Sequence, residues 1–356
     1  MLTPMELSCY ISSHGFGHAT RMVALLESLA TRIPGIKVNI ISTVPPFLFD
    51  SQPWLLQHYP VLTDLGFCQS DSFTIDYPAT DQALETLLPY SEELINQCCE
   101  ISKQSKLIVC DISPMGVVVG KRLGIPSVLL ENFTWDWLYH QNEFSGPGFT
   151  RAARYFAELY GRADYHIQTE PVCNPRNPDL RCGPIARRTQ KSPEEINQLL
   201  GSGKRDIVLI TMGGLTSEFG PLERLAEQND YFFVLTGQQS SRKFAPNITL
   251  LDHRTPFHHP DLINSSSLVI CKAGYSTIAE CSRSHTPVCC ICRSDFSESP
   301  VLEEFVVNRL GGSLLSYEAF RSLGWLACLG HYCQPDKMNP PTDGGGETAT
   351  FLTALL

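Results

Sequence analysis

The sequence holds no apolar run approaching the ~20 residues that a membrane-spanning helix needs. Its first apolar stretch, residues 7–11, is too short for the hydrophobic segment of a secretory signal and reads as a strand. Charge is also sparse. Only 18% of the 356 residues are Asp, Glu, Lys or Arg, and the formal balance is -10. An acidic chain of this kind does not take nucleic acid or an anionic membrane as its default partner. Several catalytic signatures are missing. No G-x-S-x-G elbow occurs, which argues against a serine hydrolase. Neither H-E-x-x-H nor a D-x-D pair at a strand end occurs, so no metal is expected. The first glycine loop is not G-x-G-x-x-G and has no P-loop lysine.

Cysteine, by contrast, is plentiful, with 14 residues. They are scattered or adjacent (Cys98-Cys99, Cys289-Cys290), and Cys110, Cys271 and Cys289 lie inside apolar strand-like runs. That pattern reads as buried reduced thiols in a cytoplasmic protein, not as a disulfide framework or a zinc site.

Strand-like and helix-like runs alternate along the chain, which indicates parallel α/β layers. The predicted strands of the first half are 7–12, 38–42, 107–110, 127–130 and 165–168, with helices over 20–32, 84–101 and 115–123. The segment 171–193 has five prolines and no clean period, and reads as a linker. A second series begins near Asp206, with strands over 207–212, 231–235, 248–251, 268–271 and 288–291 and helices near 218–228, 276–284 and 301–309. A proline- and glycine-rich stretch, 335–346, leads into a short apolar helix at 347–356. The expected division is an N-terminal domain over 1–180, a linker over 181–205, a C-terminal domain over 206–345 and a final helix over 346–356.

Three segments could carry chemistry. His14-Gly15-Phe16-Gly17-His18-Ala19-Thr20-Arg21 stands between a strand and a helix, where open sheets bind ligands beyond the carboxyl ends of their strands. A histidine at that point is hard to justify by packing. Arg21 either meets a phosphate or lies on the helix surface. In the second half, Gly213 and Gly214 follow a strand directly and would let a ligand approach the backbone, although by itself a glycine pair there reads first as a plain turn. Lys272-Ala273-Gly274-Tyr275-Ser276-Thr277 ends a strand and opens a helix whose free N–H groups and hydroxyls would cradle an anion. Glu280, one turn on, could accept hydrogen bonds from a ribose diol, or could merely favour the helix dipole. Asp295 and Glu298 follow a further strand end and suit sugar hydroxyls. In the first half Asp111 closes one strand, and Glu131-Asn132-Phe133-Thr134-Trp135-Asp136-Trp137 closes the next. Asp111, Asn132 and Asp136 would face the same cleft as His18. Trp135 and Trp137 could form a stacking wall for a sugar ring, or fill the core.

These segments together resemble the GT-B superfamily of nucleotide-sugar glycosyltransferases, in particular the family that includes the peptidoglycan N-acetylglucosaminyltransferase. HGFGHATR and NFTWDW are most similar to the glycosyltransferase-like region of plant L-arabinokinases. The resemblance implies two facing Rossmann-like domains with a central cleft, the acceptor on the first and the donor on the second, and a last helix returning to the first. It implies that Gly213, Gly214, Gly274, Tyr275, Ser276 and Thr277 face the donor phosphates, Glu280 the ribose, and Asp295 and Glu298 the donor sugar. The usual Asp-Gln or Gln-Gln pair at the sugar position is replaced by the Asp295–Glu298 stretch. No kinase signature accompanies it.

The expected activity is inverting, metal-independent transfer of a sugar from a nucleotide-sugar, UDP-linked by resemblance, to a hydroxyl of a small-molecule or lipid-linked acceptor. No cofactor is expected, since the nucleotide-sugar is a substrate. His18 would act as base with Asp111 orienting its ring, and His14, Gly15 and Gly17 would lie on the acceptor side. The alternatives are a sugar-nucleotide-binding regulatory module and a nucleotide-sugar epimerase.

Overall fold

The computed structural model describes residues 5–50, 52–69, 74–141, 146–213, 219–293, 296–334, 339 and 341–356. The chain divides into two compact units. The first comprises Met1–Ser70, Ile75–Ile185 and Thr342–Leu356, and the second is essentially Ala186–Pro341.

In the first unit the chain runs β1 (Glu6–Ile11), α1 (Gly17–Arg32), β2 (Lys37–Ile41), β3 (Leu55–Tyr59), α2 (Tyr77–Leu87), α3 (Glu92–Ser102), β4 (Leu107–Asp111), α4 (Met115–Leu123), β5 (Ser127–Glu131), α5 (Trp135–Gln141), α6 (Pro147–Tyr160), β6 (Tyr165–Thr169) and β7 (Leu180–Cys182). The strands form one parallel sheet in the order β3-β2-β1-β4-β5-β6-β7. Strand alternation explains how it is covered. Leu7, Cys9 and Ile11 point into the apolar core with Met22, Leu25 and Leu29 of α1. Ser8 and Tyr10 point the other way, where the Tyr10 hydroxyl meets Ser102 Oγ of α3 at 2.8 Å.

The second unit runs α7 (Pro193–Leu200), β8 (Asp206–Thr211), α8 (Leu222–Ala226), β9 (Tyr231–Gln238), β10 (Arg242–Ala245), β11 (Ile248–Asp252), α9 (His259–Asn264), β12 (Leu268–Lys272), α10 (Tyr275–Ser284), β13 (Val288–Ile291), α11 (Ser299–Leu310), β14 (Ser313–Leu315), α12 (Tyr317–Arg321) and α13 (Leu329–Tyr332). Its sheet has the order β10-β11-β9-β8-β12-β13-β14, parallel except for the edge strand β10. The two sheets therefore repeat one plan. Each winds outward from its first strand, returns, and winds the other way, so the order reverses between β1 and β4 and again between β8 and β12. Such reversals leave a crevice at the strands' carboxyl ends.

The last helix, α14 (Gly344–Leu355), belongs to the first unit. Ala349 and Leu352 are fully buried in the same core as α1. Its entry is a close backbone approach, because a Cβ on Gly344 would stand 1.8 Å from the Gly183 carbonyl oxygen. Among the described residues no helix is long and apolar enough to cross a membrane.

Three sequence expectations need correction. The helix expected over 84–101 is two helices, α2 and α3, because Pro89 interrupts the apolar period. The stretch 171–193 is mostly not linker. Its prolines hide β7, which adds to the first sheet, and the unit boundary falls at Ile185 and Ala186. The helix near 218–228 is only Leu222–Ala226 among the described residues, since Pro221 precedes it.

Leu352→Ala removes a fully buried side chain where α14 meets the core. It is expected to lower the stability of the first unit by roughly 2–5 kcal/mol, read as a fall in the urea midpoint.

Candidate functional site

In the first unit the sheet reversal brings β1 and β4 side by side, with Ile11 opposite Asp111. The chain leaves β1 and turns through Gly15 at φ +73°, which a glycine adopts without strain. It then enters α1 at Gly17, with no side chain capping that helix. His18 thus lies in the first turn, directly over the end of β4. Its Nδ1 stands 2.7 Å from Asp111 Oδ1. Asp111 is fully buried, and Arg21, one turn further along α1, grips the same carboxylate through Nε to Oδ2 at 2.9 Å and Nη2 to Oδ1 at 2.5 Å.

Burial alone would push the Asp111 carboxyl up, but the charges of Arg21 and His18 and their hydrogen bonds outweigh it and hold the group below its ordinary value. An ionised carboxylate only accepts hydrogen bonds. His18 Nδ1 therefore carries a hydrogen, and whenever the ring is uncharged its lone pair lies on Nε2. The His18 side chain is 10% exposed. Just beyond Asp111 the chain bends through Ile112 at φ +47°, an uncommon conformation for a β-branched residue. The Tyr160 hydroxyl, donating to the Ile112 carbonyl at 2.5 Å, holds that bend.

The other first-unit residues singled out by sequence have different surroundings. Asn132 is buried and wholly engaged. Its Oδ1 accepts from Arg21 Nη1, and its Nδ2 donates to the carbonyls of Thr169 and Pro171. It braces the arginine and offers no free amide to an acceptor. Trp135 cannot be a sugar-stacking wall, because it is fully buried, stacked on Tyr139 and hydrogen-bonded through Nε1 to Asp64 Oδ2 at 2.8 Å. The aromatic side chain that looked available to a ligand is core. Asp136 is also buried, with Arg176 Nη2 3.5 Å away. His14 is partly exposed and meets Trp135 edge to face at 5.6 Å between ring centroids.

The contact made by one residue, and the relevance of another, escaped the sequence reading. Arg21 neither lies on the helix surface nor stands open to a phosphate. The spacing of His18 and Arg21, three apart on a helix face, was the available signal. Asp64 had no signal, since only the tertiary fold brings it to Trp135. Burial pushes the Asp64 carboxyl up to about 6, against the pull of Trp135, Ser12 and His18.

In the second unit the reversal brings β8 beside β12. Gly213 follows β8 at φ +70°, and the Lys272 side chain at the end of β12 lies over it, Cε 3.4 Å from where a Cβ would stand. Gly214 and Asp295 lie outside the described residues. Gly274 precedes α10 with no side-chain cap, and Gly274, Tyr275, Ser276 and Thr277 are all partly exposed, so packed side chains do not fill this turn. Lys272 was quoted by the sequence reading but given no role. Burial and the nearby Arg293 bring its ammonium down to about 7, with Glu298 opposing. Glu298 is buried at the start of α11. Glu280 is 3% exposed and already engaged, with Oε1 accepting from Arg187 Nε at 2.8 Å and Oε2 2.8 Å from His259 Nδ1. The ribose role expected of it would require a sugar to enter a closed ion-pair cluster. Burial would raise the Glu280 carboxyl, but Arg187 and His259 bring it down to about 2.

Among the described residues no three His, Cys, Asp or Glu side chains come together as a metal site. Residues 218–299 match the glycosyltransferase family 28 C-terminal domain. The L-arabinokinase of Arabidopsis thaliana is 28% identical over 83% of this chain, and the chain spans 29% of that protein's length. Among solved structures, Medicago truncatula UGT71G1 in complex with UDP-glucose has a TM-score of 0.60 at 14% identity, covering 99% of this chain and 93% of that one. Acinetobacter baumannii MurG has a TM-score of 0.53 at 15% identity, covering 99% and 100%. The chain thus has the α/β fold of the GT-B glycosyltransferases, and within its second half residues 218–299 match the C-terminal domain of a glycosyltransferase family.

The Glu280 cluster has an acid signature. A folded-state value below the ordinary one stabilises the fold above pH about 4.5, and that stability is lost as pH falls toward about 2. Glu280→Gln is expected to be less stable at pH 7 by roughly 3 kcal/mol. The gap to the parent protein should close across that acid window in urea melts.

Proposed function

We propose that this chain, with a glycosyltransferase domain on a GT-B fold, is an inverting, metal-independent glycosyltransferase that moves a sugar from a nucleotide-sugar to a hydroxyl acceptor. The observation that carries this reading is the buried Asp111 carboxylate, bonded to His18 Nδ1 at 2.7 Å and held ionised by Arg21. Nε2 takes the proton of the acceptor hydroxyl while its oxygen forms the new bond to the anomeric carbon. The bond from that carbon to the phosphate breaks, and its electron pair leaves with the nucleoside diphosphate. Asp111 fixes the tautomer and stabilises the imidazolium as it forms.

The second unit offers what a departing diphosphate needs. The uncapped N-terminus of α10, the hydroxyls of Ser276 and Thr277, and Lys272 over Gly213 supply N–H donors and positive charge. These groups support a role that requires no metal. UDP is the favoured nucleotide, because the solved neighbour UGT71G1 was captured with UDP-glucose. A small-molecule or lipid-linked alcohol serves as acceptor, and we place the reaction in the cytoplasm.

His18→Ala should cut turnover by about 10²–10⁴-fold and leave donor affinity unchanged. A thermal-shift screen of nucleoside diphosphates and their sugars identifies the donor, which raises apparent stability by mass action. Unchanged turnover in His18→Ala would remove the base role. Binding with no transfer to any acceptor would favour a regulatory module, and a donor altered without acceptor would favour an epimerase.

Lys272 gives a second expectation. An anion beside it favours the charged ammonium, so above pH about 7 binding must take up a proton. Affinity for the nucleoside diphosphate should weaken as pH rises from 7 to 9, and calorimetry in buffers of different ionisation heat should show proton uptake. Lys272→Met should abolish both effects.

A further inference from the structure

Asp64 lies in the segment after β3 and is buried to 1% exposure, far from any role that the sequence suggests. Three observations tie this segment to the histidine loop. The Asp64 carboxylate accepts the Trp135 indole N–H at 2.8 Å. Trp135 in turn lies against both histidines, 5.6 Å from the His14 ring, edge to face, and 6.4 Å from the His18 ring, tilted by 52°. Two residues on, Gly66 packs directly under His14, and a Cβ there would stand 2.3 Å from its Nδ1. The segment is itself pinned. The Tyr90 hydroxyl donates to the Thr63 carbonyl, the Tyr139 hydroxyl donates to the Leu65 carbonyl, and Ser113 Oγ donates to Thr63 Oγ1.

The indole is large and apolar, and its one polar atom sets which way it faces. Without an acceptor at Asp64, the buried N–H loses its partner and the ring has reason to turn. A turn of that ring moves the wall beside His18, while Asp111 holds the imidazole through Nδ1 alone. We propose that Asp64 is a positioning residue for the transfer reaction, setting the orientation of Trp135 and through it the aim of His18 Nε2. The inference rests on the reading of His18 as the base.

The test uses the full chain with the donor and acceptor found above. Asp64→Ala should lower kcat about 10–100-fold, as small misplacements of a catalytic group do, and leave the donor KM unchanged. Asp64→Asn retains an oxygen acceptor for the indole and should restore most of the loss. Trp135→Phe should reproduce Asp64→Ala, and the double variant should be no worse than either single one, because both cut the same link. Nitrogen-15 NMR of His18 should report an altered ring environment in Asp64→Ala and a parent-like one in Asp64→Asn. Should Asp64→Ala not fold, Trp135→Phe and its His18 spectrum carry the same arm. Full turnover in Asp64→Ala overturns the proposal, as do additive losses in the double variant or an Asp64→Asn as poor as Asp64→Ala. His18→Ala separates the two failures. If it stays active, the base reading fails. If it is inactive while Asp64→Ala turns over normally, only the positioning role fails.

Discussion

The first unit depends on one buried negative charge. A carboxylate removed from water at the end of a central strand is strongly unfavourable unless it is paired and hydrogen-bonded. Asp111 meets that demand with a guanidinium and an imidazole from the same helix face, one turn apart. The arginine is committed in turn, since Asn132 at the next strand's end accepts its remaining nitrogen and ties it to the carbonyls of Thr169 and Pro171. The ends of three neighbouring strands, β4, β5 and β6, and the helix α1 are thereby locked around a single ionised group. His18 is the one member of that cluster left with a basic atom to offer.

The two units use one topology for opposite electrostatic purposes. At the reversal of the first sheet the buried group is an anion, and what it presents outward is a proton acceptor. At the reversal of the second sheet the half-buried Lys272 and the buried Arg293 stand near the strand ends, with Glu298 close to the lysine, beside a helix N-terminus with no side-chain cap. One arrangement suits the loss of a proton from a hydroxyl. The other suits the arrival of negative charge on a phosphate. The Glu280 cluster shows the same logic one layer deeper, with its acid held between Arg187 and His259.

Much of the fold was legible because parallel strands buried on both faces are continuous apolar runs. Val288–Ile291 and Met115–Leu123 coincide with elements read from the sequence alone, and the other central strands differ by a residue or two, except β9, which runs three residues further. What escaped were edge strands such as β7, three residues among prolines, and helices such as α6 that open on Pro-Gly. The candidate site was legible in its residue types and not in their contacts. Asp111 could be placed beside His18 because both belong to neighbouring strand ends. The destination of the Arg21 side chain, the full burial of Trp135 and the approach of Asp64 are set by packing between segments distant in sequence, for which a single chain carries no local signal.

The position of α14 has a consequence for how the chain comes off the ribosome. The bulk of the second unit, Ala186–Pro341, is one uninterrupted stretch, whereas the first unit needs Thr342–Leu356 to cover the face of its sheet that α1 only partly shields. Vectorial synthesis therefore delivers the pieces out of order. The first unit begins before the second and is completed only after it, and until α14 emerges its apolar flank stays open to water and to chaperones.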